Sequence, residues 1–305
     1  MIMEIHWDQV GKAEWQALAE GCAMPMQQHP HYGAAMALLG AQVRRAVISE
    51  AGTPFGVAQV ITRVLGPLRL SLLSRGPVWL TARGGAARGR VLRQLAEGAG
   101  VFFATPEHPL KARGLLTVAA PRQQAVIGLC AKPDALRARM AGKWRNRLAR
   151  AEAAGLETGV RIPVAADLDW LMRHELAQRK ARRYRALPPA FTLAWQRVAP
   201  DALRYYEARL GKRRVAAMLF LLHPPWASYH VGWSGDEGRR MNAHNALLWR
   251  AMRDLQSRGF AALDLGPVDG DANPGLARFK AGTGAVVAPL GATSLVLPAL
   301  IRRRW

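Results

Sequence analysis

One order of elements recurs along the 305 residues and restricts the chain to a tandem α/β architecture. In the first half, residues 44–50 and 55–62 alternate as two strands around a turn at Ala51-Gly52-Thr53-Pro54, which is a hairpin pattern. A segment ending Gly76-Pro77-Val78-Trp79-Leu80 follows, then a helix around residues 88–97 and a strand at 101–105 stopped by Pro106. In the second half, residues 203–209 turn at Gly211-Lys212 into 213–222. The order continues through a tryptophan-bearing strand at 227–234, a helix over 242–258 and a strand at 260–265 ended by Gly266-Pro267. Hairpin, strand with tryptophan, helix, strand: a unit of this size repeated twice implies two domains rather than a solenoid. The expected fold class is α/β (α+β), with each half a mixed sheet flanked by helices.

A helical connector joins the halves. Leu136, Met140, Trp144 and Leu148 recur every four residues as a single apolar stripe. Arg139, Lys143, Arg145 and Arg150 fall outside it, and Gly155 is a C-terminal stop. A second helix is expected from Asp167 to about Tyr184, before Pro188-Pro189. The boundary is placed after residue 155, giving halves of 1–155 and 156–305.

The formal net charge of +22 is the strongest compositional signal. A surface so basic attracts polyanions such as tRNA, anionic headgroups or nucleotide-linked substrates. An arginine- and alanine-rich bias of genomic origin gives the same composition. Cys22 and Cys130 are too few for a disulfide framework or a zinc site, which fits a reduced, cytoplasmic setting. The N-terminus lacks the basic start and apolar core of a signal peptide, and no window is long and apolar enough to span a bilayer. The tail, residues 290–305, ends in apolar residues beside Arg302, Arg303, Arg304 and Trp305; it packs on its own domain or makes a peripheral contact at the inner membrane surface.

Four stretches carry candidate chemistry. The connector reads Lys143-Trp144-Arg145-Asn146-Arg147-Leu148-Ala149-Arg150, with no acid from Leu136 to Ala151, so it is either a solvated face or a phosphate-contacting one. Lys180 and Tyr184 are four apart and share a helix face if the helix persists, with Arg179 an alternative cation. Tyr229 and His230 are strand neighbours and point to opposite faces. Asp264 lies in a buried-strand pattern, and Phe279-Lys280 lies between Gly275 and Gly282-Thr283-Gly284, where glycine permits close approach to a ligand.

Taken together, the strand pair, helix, strand and glycine-flanked Phe279-Lys280 resemble the C-terminal half of the Fem-type aminoacyl-tRNA-dependent transferases, within the wider GNAT-like acyltransferases. The connector, ending Ala151-Glu152-Ala153-Ala154-Gly155, is the second point of resemblance. The resemblance implies two tandem GNAT-like halves, with transfer of an acyl group from an activated ester to an amine in the second. It implies that Lys280 lies near the donor ester and the developing oxyanion with Phe279 beside it, and that Tyr229 contacts substrate. Lys180 and Tyr184 then hold an anionic amine-bearing acceptor such as a cell-wall precursor. Asp264 orients an amine or structures its strand end. Lys143, Arg145, Arg147 and Arg150 become contacts to tRNA.

Acetyl-CoA-dependent GNAT enzymes bind pyrophosphate on a glycine-rich turn at a helix start. Here that turn reads Gly238-Arg239-Arg240-Met241-Asn242-Ala243-His244-Asn245, without paired glycines, although Arg239 and Arg240 could meet an anion. The expected donor is therefore aminoacyl-tRNA, with acyl-CoA or an acyl carrier as the alternative. No tightly bound cofactor and no metal is expected. A third reading is a non-catalytic basic scaffold that binds RNA or membrane.

Overall fold

The computed structural model describes residues 3–182, 184, 186–268 and 274–299. The chain divides into two compact units, Met1–Arg122 with Pro289–Trp305, and Gln123–Ala288.

In the first unit, strands β1 (Met3–Trp7), β2 (Gln42–Glu50), β3 (Thr53–Leu65), β4 (Leu68–Ser74), β5 (Val78–Trp79), β6 (Val101–Thr105) and β7 (Leu115–Ala119) are accompanied by helices α1 (Lys12–Leu18), α2 (Pro30–Leu38) and α3 (Gly85–Leu95). The β2–β3 hairpin closes at Ala51 and Gly52, with φ of 49° and 77°, the left-handed pair that matches the twist of the strands. Alternation then sorts the side chains. Ala46, Ile48, Ala58, Val60, Leu73, Phe102 and Ala104 lie on the face that packs with Val91, Leu92 and Leu95 of α3. Trp15, Met24, Val47, Val57 and Val78 form a second core on the opposite face. The expected tryptophan strand is divided here. Trp79 sits in the two-residue β5 on β3, whereas the strand leading towards α3 and β6 is β4.

The second unit contains β8 (Gln123–Gly128), α4 (Pro133–Arg139), α5 (Gly142–Ala153), β9 (Glu157–Arg161), α6 (Ala165–Arg182), α7 (Pro189–Val198), β10 (Leu203–Leu210), β11 (Arg213–His223), β12 (Trp226–Ser234), α8 (Asp236–Arg240), α9 (Ala243–Ser257), β13 (Ala262–Val268), α10 (Pro274–Ala281) and β14 (Val286–Pro289). Its sheet order is β14-β8-β13-β12-β11-β10-β9. Leu247, Leu248, Ala251, Met252 and Leu255 of α9 drop into one core with Leu136, Met140, Trp144 and Leu148, as their spacing requires. A last strand, β15 (Thr293–Val296), belongs to the first sheet, between β6 and β7.

Two expectations change. The connector is two helices, because the Ala141 amide bonds the Gly282 carbonyl at 3.0 Å instead of continuing the helical ladder. The division falls after Arg122 rather than after residue 155, because the connector's apolar stripe is part of the second core and β15 returns to the first sheet. The architecture, two mixed sheets flanked by helices in tandem, is as expected.

Candidate active site

The second sheet opens at its centre. Parallel strands β12 and β13 pair only at Trp226↔Ala262, Ala227↔Leu263 and Ser228↔Asp264. Just past the last pair both strands are irregular. The β11–β12 register shifts at His230, and the β13–β8 register shifts between Asp264 and Gly266, where Gly266 has φ +82°. An extra residue bends its strand and increases its twist, so two bulges at one level part the strands into a wedge. The first unit has no such gap, since β4 and β6 stay paired from Leu70↔Val101 to Ser74↔Thr105.

Lys280 reaches the β13 side of this wedge. It lies in the last turn of α10, not in the glycine-rich loop expected, and it is only 5% exposed. Its Nζ donates to the Pro267 carbonyl at 2.8 Å, and a Cβ on Gly266 would stand 3.5 Å from that nitrogen. Burial pulls the ammonium pKa down to about 8, against the opposing pull of Asp264. Asp264 is buried and accepts from the Gly266 amide at 2.7 Å and from Gln124 Nε2. Its carboxylate shapes the bulge of β13 and provides the negative field that helps keep Lys280 charged. Phe279 faces Trp144, with ring centroids 5.9 Å apart, and its carbonyl accepts from Trp144 Nε1 at 3.1 Å.

On the β12 side, Tyr229 packs on Phe220 with centroids 5.6 Å apart. Burial, with Tyr184 and Glu175 nearby, raises its phenol pKa, so it stays protonated. Gly232 makes room for it: a Cβ there would lie 2.2 Å from the Tyr229 hydroxyl. The cation and phenol expected at Lys180 and Tyr184 are arranged differently. Helix α6 stops at Arg182, Lys180 is exposed, and the Tyr184 hydroxyl donates to buried Glu175 at 2.9 Å. Arg179 grips the same carboxylate through both oxygens at 3.0 and 2.8 Å, and Gln178 Nε2 donates to the Tyr184 hydroxyl. Arg179 is thus the cation beside the phenol, linked to it through Glu175. His230 turns to α7, with its Nε2 2.7 Å from Thr192 Oγ1, and burial pulls its pKa down to about 4. That environment suits a neutral structural imidazole.

The start of α9 presents no glycine turn. Asn242 occupies the left-handed region at φ 53°. Arg239 is spent on its own turn, donating to the Ser234 carbonyl and to Asp236, each at 2.6 Å, while Arg240 is exposed. One turn on, His244 hydrogen-bonds the Trp233 main chain, and its Nε2 is buried without a partner. Burial lowers its pKa to about 4, and its ring lies 6.3 Å from Phe279.

A cleft of about 590 Å³ adjoins Phe279, lined by Lys143, Trp144, Arg147 and Arg278 with Ala141, Gly275 and Gly282. Lys143, Arg147 and Arg150 share the exposed face of α5, opposite buried Trp144, Leu148 and Ala151. Arg145 is different: it donates to the Met140 and Ala138 carbonyls at 2.6 and 3.0 Å and caps the end of α4. Residues 302–305, offered for membrane contact, lie outside the described residues.

Sequence reasoning missed Glu175, Gln124, Gly232 and His244. Glu175 sits on the apolar side of α6 with Leu168, Leu171 and Met172, and an acid at a buried helical position is the signal that could have found it.

Residues 138–281 match the GNAT acetyltransferase domain model. No curated protein matches the sequence. The crystal structure of FemX superposes with a TM-score of 0.78 at 13% identity, over 96% of this chain and 97% of that one. A tandem GNAT protein from the clavulanic acid biosynthesis pathway superposes at 0.55 and 12% identity, covering 95% and 98%. L-PGS from Bacillus licheniformis does so at 0.55 and 12% identity, covering 93% and 91%. At such identities the likeness concerns the fold. Fold and domain match agree: residues 138–281 match a GNAT acetyltransferase domain, and the chain has the tandem fold that FemX also has.

Proposed function

We propose that the wedge between β12 and β13 joins an amine to an acyl group carried as an ester, by Fem-like aminoacyl transfer from tRNA to an anionic amine-bearing acceptor of the cell-wall precursor type. The observation that carries the reading is the buried Lys280 ammonium at a gap between bulged strands. The amine nitrogen attacks the ester carbonyl, the C–N bond forms, and the C–O bond to the carrier breaks. The carrier hydroxyl leaves with a proton given up by the amine. As the carbonyl oxygen gains charge, the Lys280 ammonium stabilises it in a site shielded from water, where such help is worth most.

Two further observations support an RNA-linked donor. The α9 start offers no glycine turn to a pyrophosphate, and Arg239 is already bonded within its turn. The basic cleft of Lys143, Arg147 and Arg278 beside Phe279 suits the phosphates of an acceptor stem. On the other side, Tyr229 and Tyr184 line the approach of the amine. Arg179 is neutralised by Glu175, so exposed Lys180 meets the acceptor's negative charge.

The match to the acetyltransferase domain model favours a second reading, an acyl-CoA donor. A transfer assay separates the two, offering charged tRNA or acyl-CoA together with amine-bearing cell-wall precursors. Product from charged tRNA, lost on ribonuclease treatment, is expected. Product from acyl-CoA alone would replace the donor, and no product from either would overturn the proposal.

A further inference from the structure

The first unit has a sheet face that its helices leave open. The side of β2 and the start of β3 opposite α3 is covered by the core of Trp15 and Met24. Beyond it, over the end of β3 and over β4, β6, β15 and β7, the same face carries a continuous apolar row. The registers Ile61↔Leu72, Leu72↔Phe103, Phe103↔Leu295 and Leu295↔Leu116 cross five strands. At the usual strand spacing this row runs roughly 19 Å. Ile61 at the β3 end is buried and Phe103 and Leu295 are half-buried, whereas Leu72 is 39% exposed, Leu116 51% and Val118 on the same side of β7 54%.

The row continues outward to a hairpin tip. Leu65 and Leu68 face each other across the turn at Gly66-Pro67, and they are 59% and 45% exposed. Two arginines, Arg63 and Arg69, flank this tip and are exposed. Exposed Arg113 and Arg122 bracket β7 in sequence.

Charge identifies what such a face meets. No acid occurs between Glu50 and Glu97, between Glu107 and Asp134, or after Asp271, so β3, β4, β7 and β15 all lie in stretches free of carboxylates. Glu107, next to β6, is held by Arg75 in a two-pronged pair at 2.7 Å. A second copy of the chain would press like charges together around an apolar centre. An anionic bilayer instead takes the leucines among its acyl chains and the arginines among its headgroups. We infer that the β3–β4 hairpin tip and the open row behind it dock the protein on an anionic lipid surface, through residues separate from the wedge of the second unit.

The test is co-sedimentation of the full chain with vesicles of phosphatidylcholine alone and of phosphatidylcholine mixed with phosphatidylglycerol. Binding to the mixed vesicles only is expected. The Leu65→Ser/Leu68→Ser variant should lose it by roughly tenfold or more at an unchanged melting temperature, and Arg63→Gln/Arg69→Gln should weaken it and flatten its salt dependence. If the tip variant melts lower, Leu116→Ser takes its place with the same expected direction. Failure of the wild type to bind mixed vesicles overturns the inference. So does unchanged binding by the variants, which would locate attachment elsewhere. A dimer in sedimentation equilibrium that the leucine substitutions dissolve would assign the face to a second copy and overturn it as well.

Discussion

Lys280 is a buried ammonium that costs stability. An ordinary lysine titrates near 10.5, whereas this one is drawn down to about 8. The folded chain therefore sheds its proton earlier than the unfolded chain does. Between pH 8 and 10.5 the unfolded state binds more protons, so stability rises with pH across that window, and below pH 8 the full cost of the buried charge remains. The Lys280→Met variant should consequently be more stable than wild type at pH 7, by at most roughly 3 kcal/mol, in chemical denaturation. The same variant should lose transfer by about 100-fold or more. In the wild type, kcat/KM should fall as pH rises through about 8, because only the ammonium stabilises the oxyanion; a flat profile to pH 10 would remove Lys280 from that role. Glu175 behaves oppositely. Its carboxylate is 3% exposed and satisfies both Arg179 and Tyr184. Glu175→Leu should cost about 3 kcal/mol, read from the denaturation midpoint, because Arg179 is left largely buried without its counter-charge.

Among the elements, the gap between β12 and β13 depends on local detail. Gly232→Ala places a methyl 2.2 Å from the Tyr229 hydroxyl, so the tyrosine must leave its seat. Transfer should drop by about tenfold or more while the melting temperature moves little, since the ring can shift towards the open side; equal activity would show that the position of Tyr229 does not matter. The regular elements were legible in the sequence. The α9 stripe and the hairpins follow from periodicity, because burial on one face forces a period of 3.6 or 2. The wedge was not legible. Its bulges at His230 and next to Gly266 are defined by which residue across the sheet each one lacks, and a single strand's sequence does not encode its partner's register. Lys280 was picked out by its Phe279 and glycine neighbours, but its burial in α10 was hidden, since Gly275 and Gly282 read as loop residues. The Lys180–Tyr184 pairing failed for a related reason: α6 ends at Arg182, before the turn that would have aligned them.

At the scale of the molecule, the two halves repeat an order of elements but not the gap between parallel strands. Complete pairing of β4 with β6 seals in the first unit what the bulges open in the second. The first unit also depends on the far end of the chain, because β15 stands between β6 and β7 and supplies their partner on each side. Ending the chain after residue 289 should therefore expose the amides of β7 to hydrogen exchange, while β6 keeps β4 as a partner and those of β10 and β11 stay protected. Uniform protection would show that the first sheet closes without β15.

This return also sets an order of assembly on the ribosome. The half made first lacks a strand until the half made second has been completed, so residues 123–288 can finish folding while the earlier sheet still waits with a gap. For this protein the usual sequence of birth and maturation is reversed. The half with the β12–β13 wedge is finished first, and the half that carries the exposed leucines is completed only when β15 arrives.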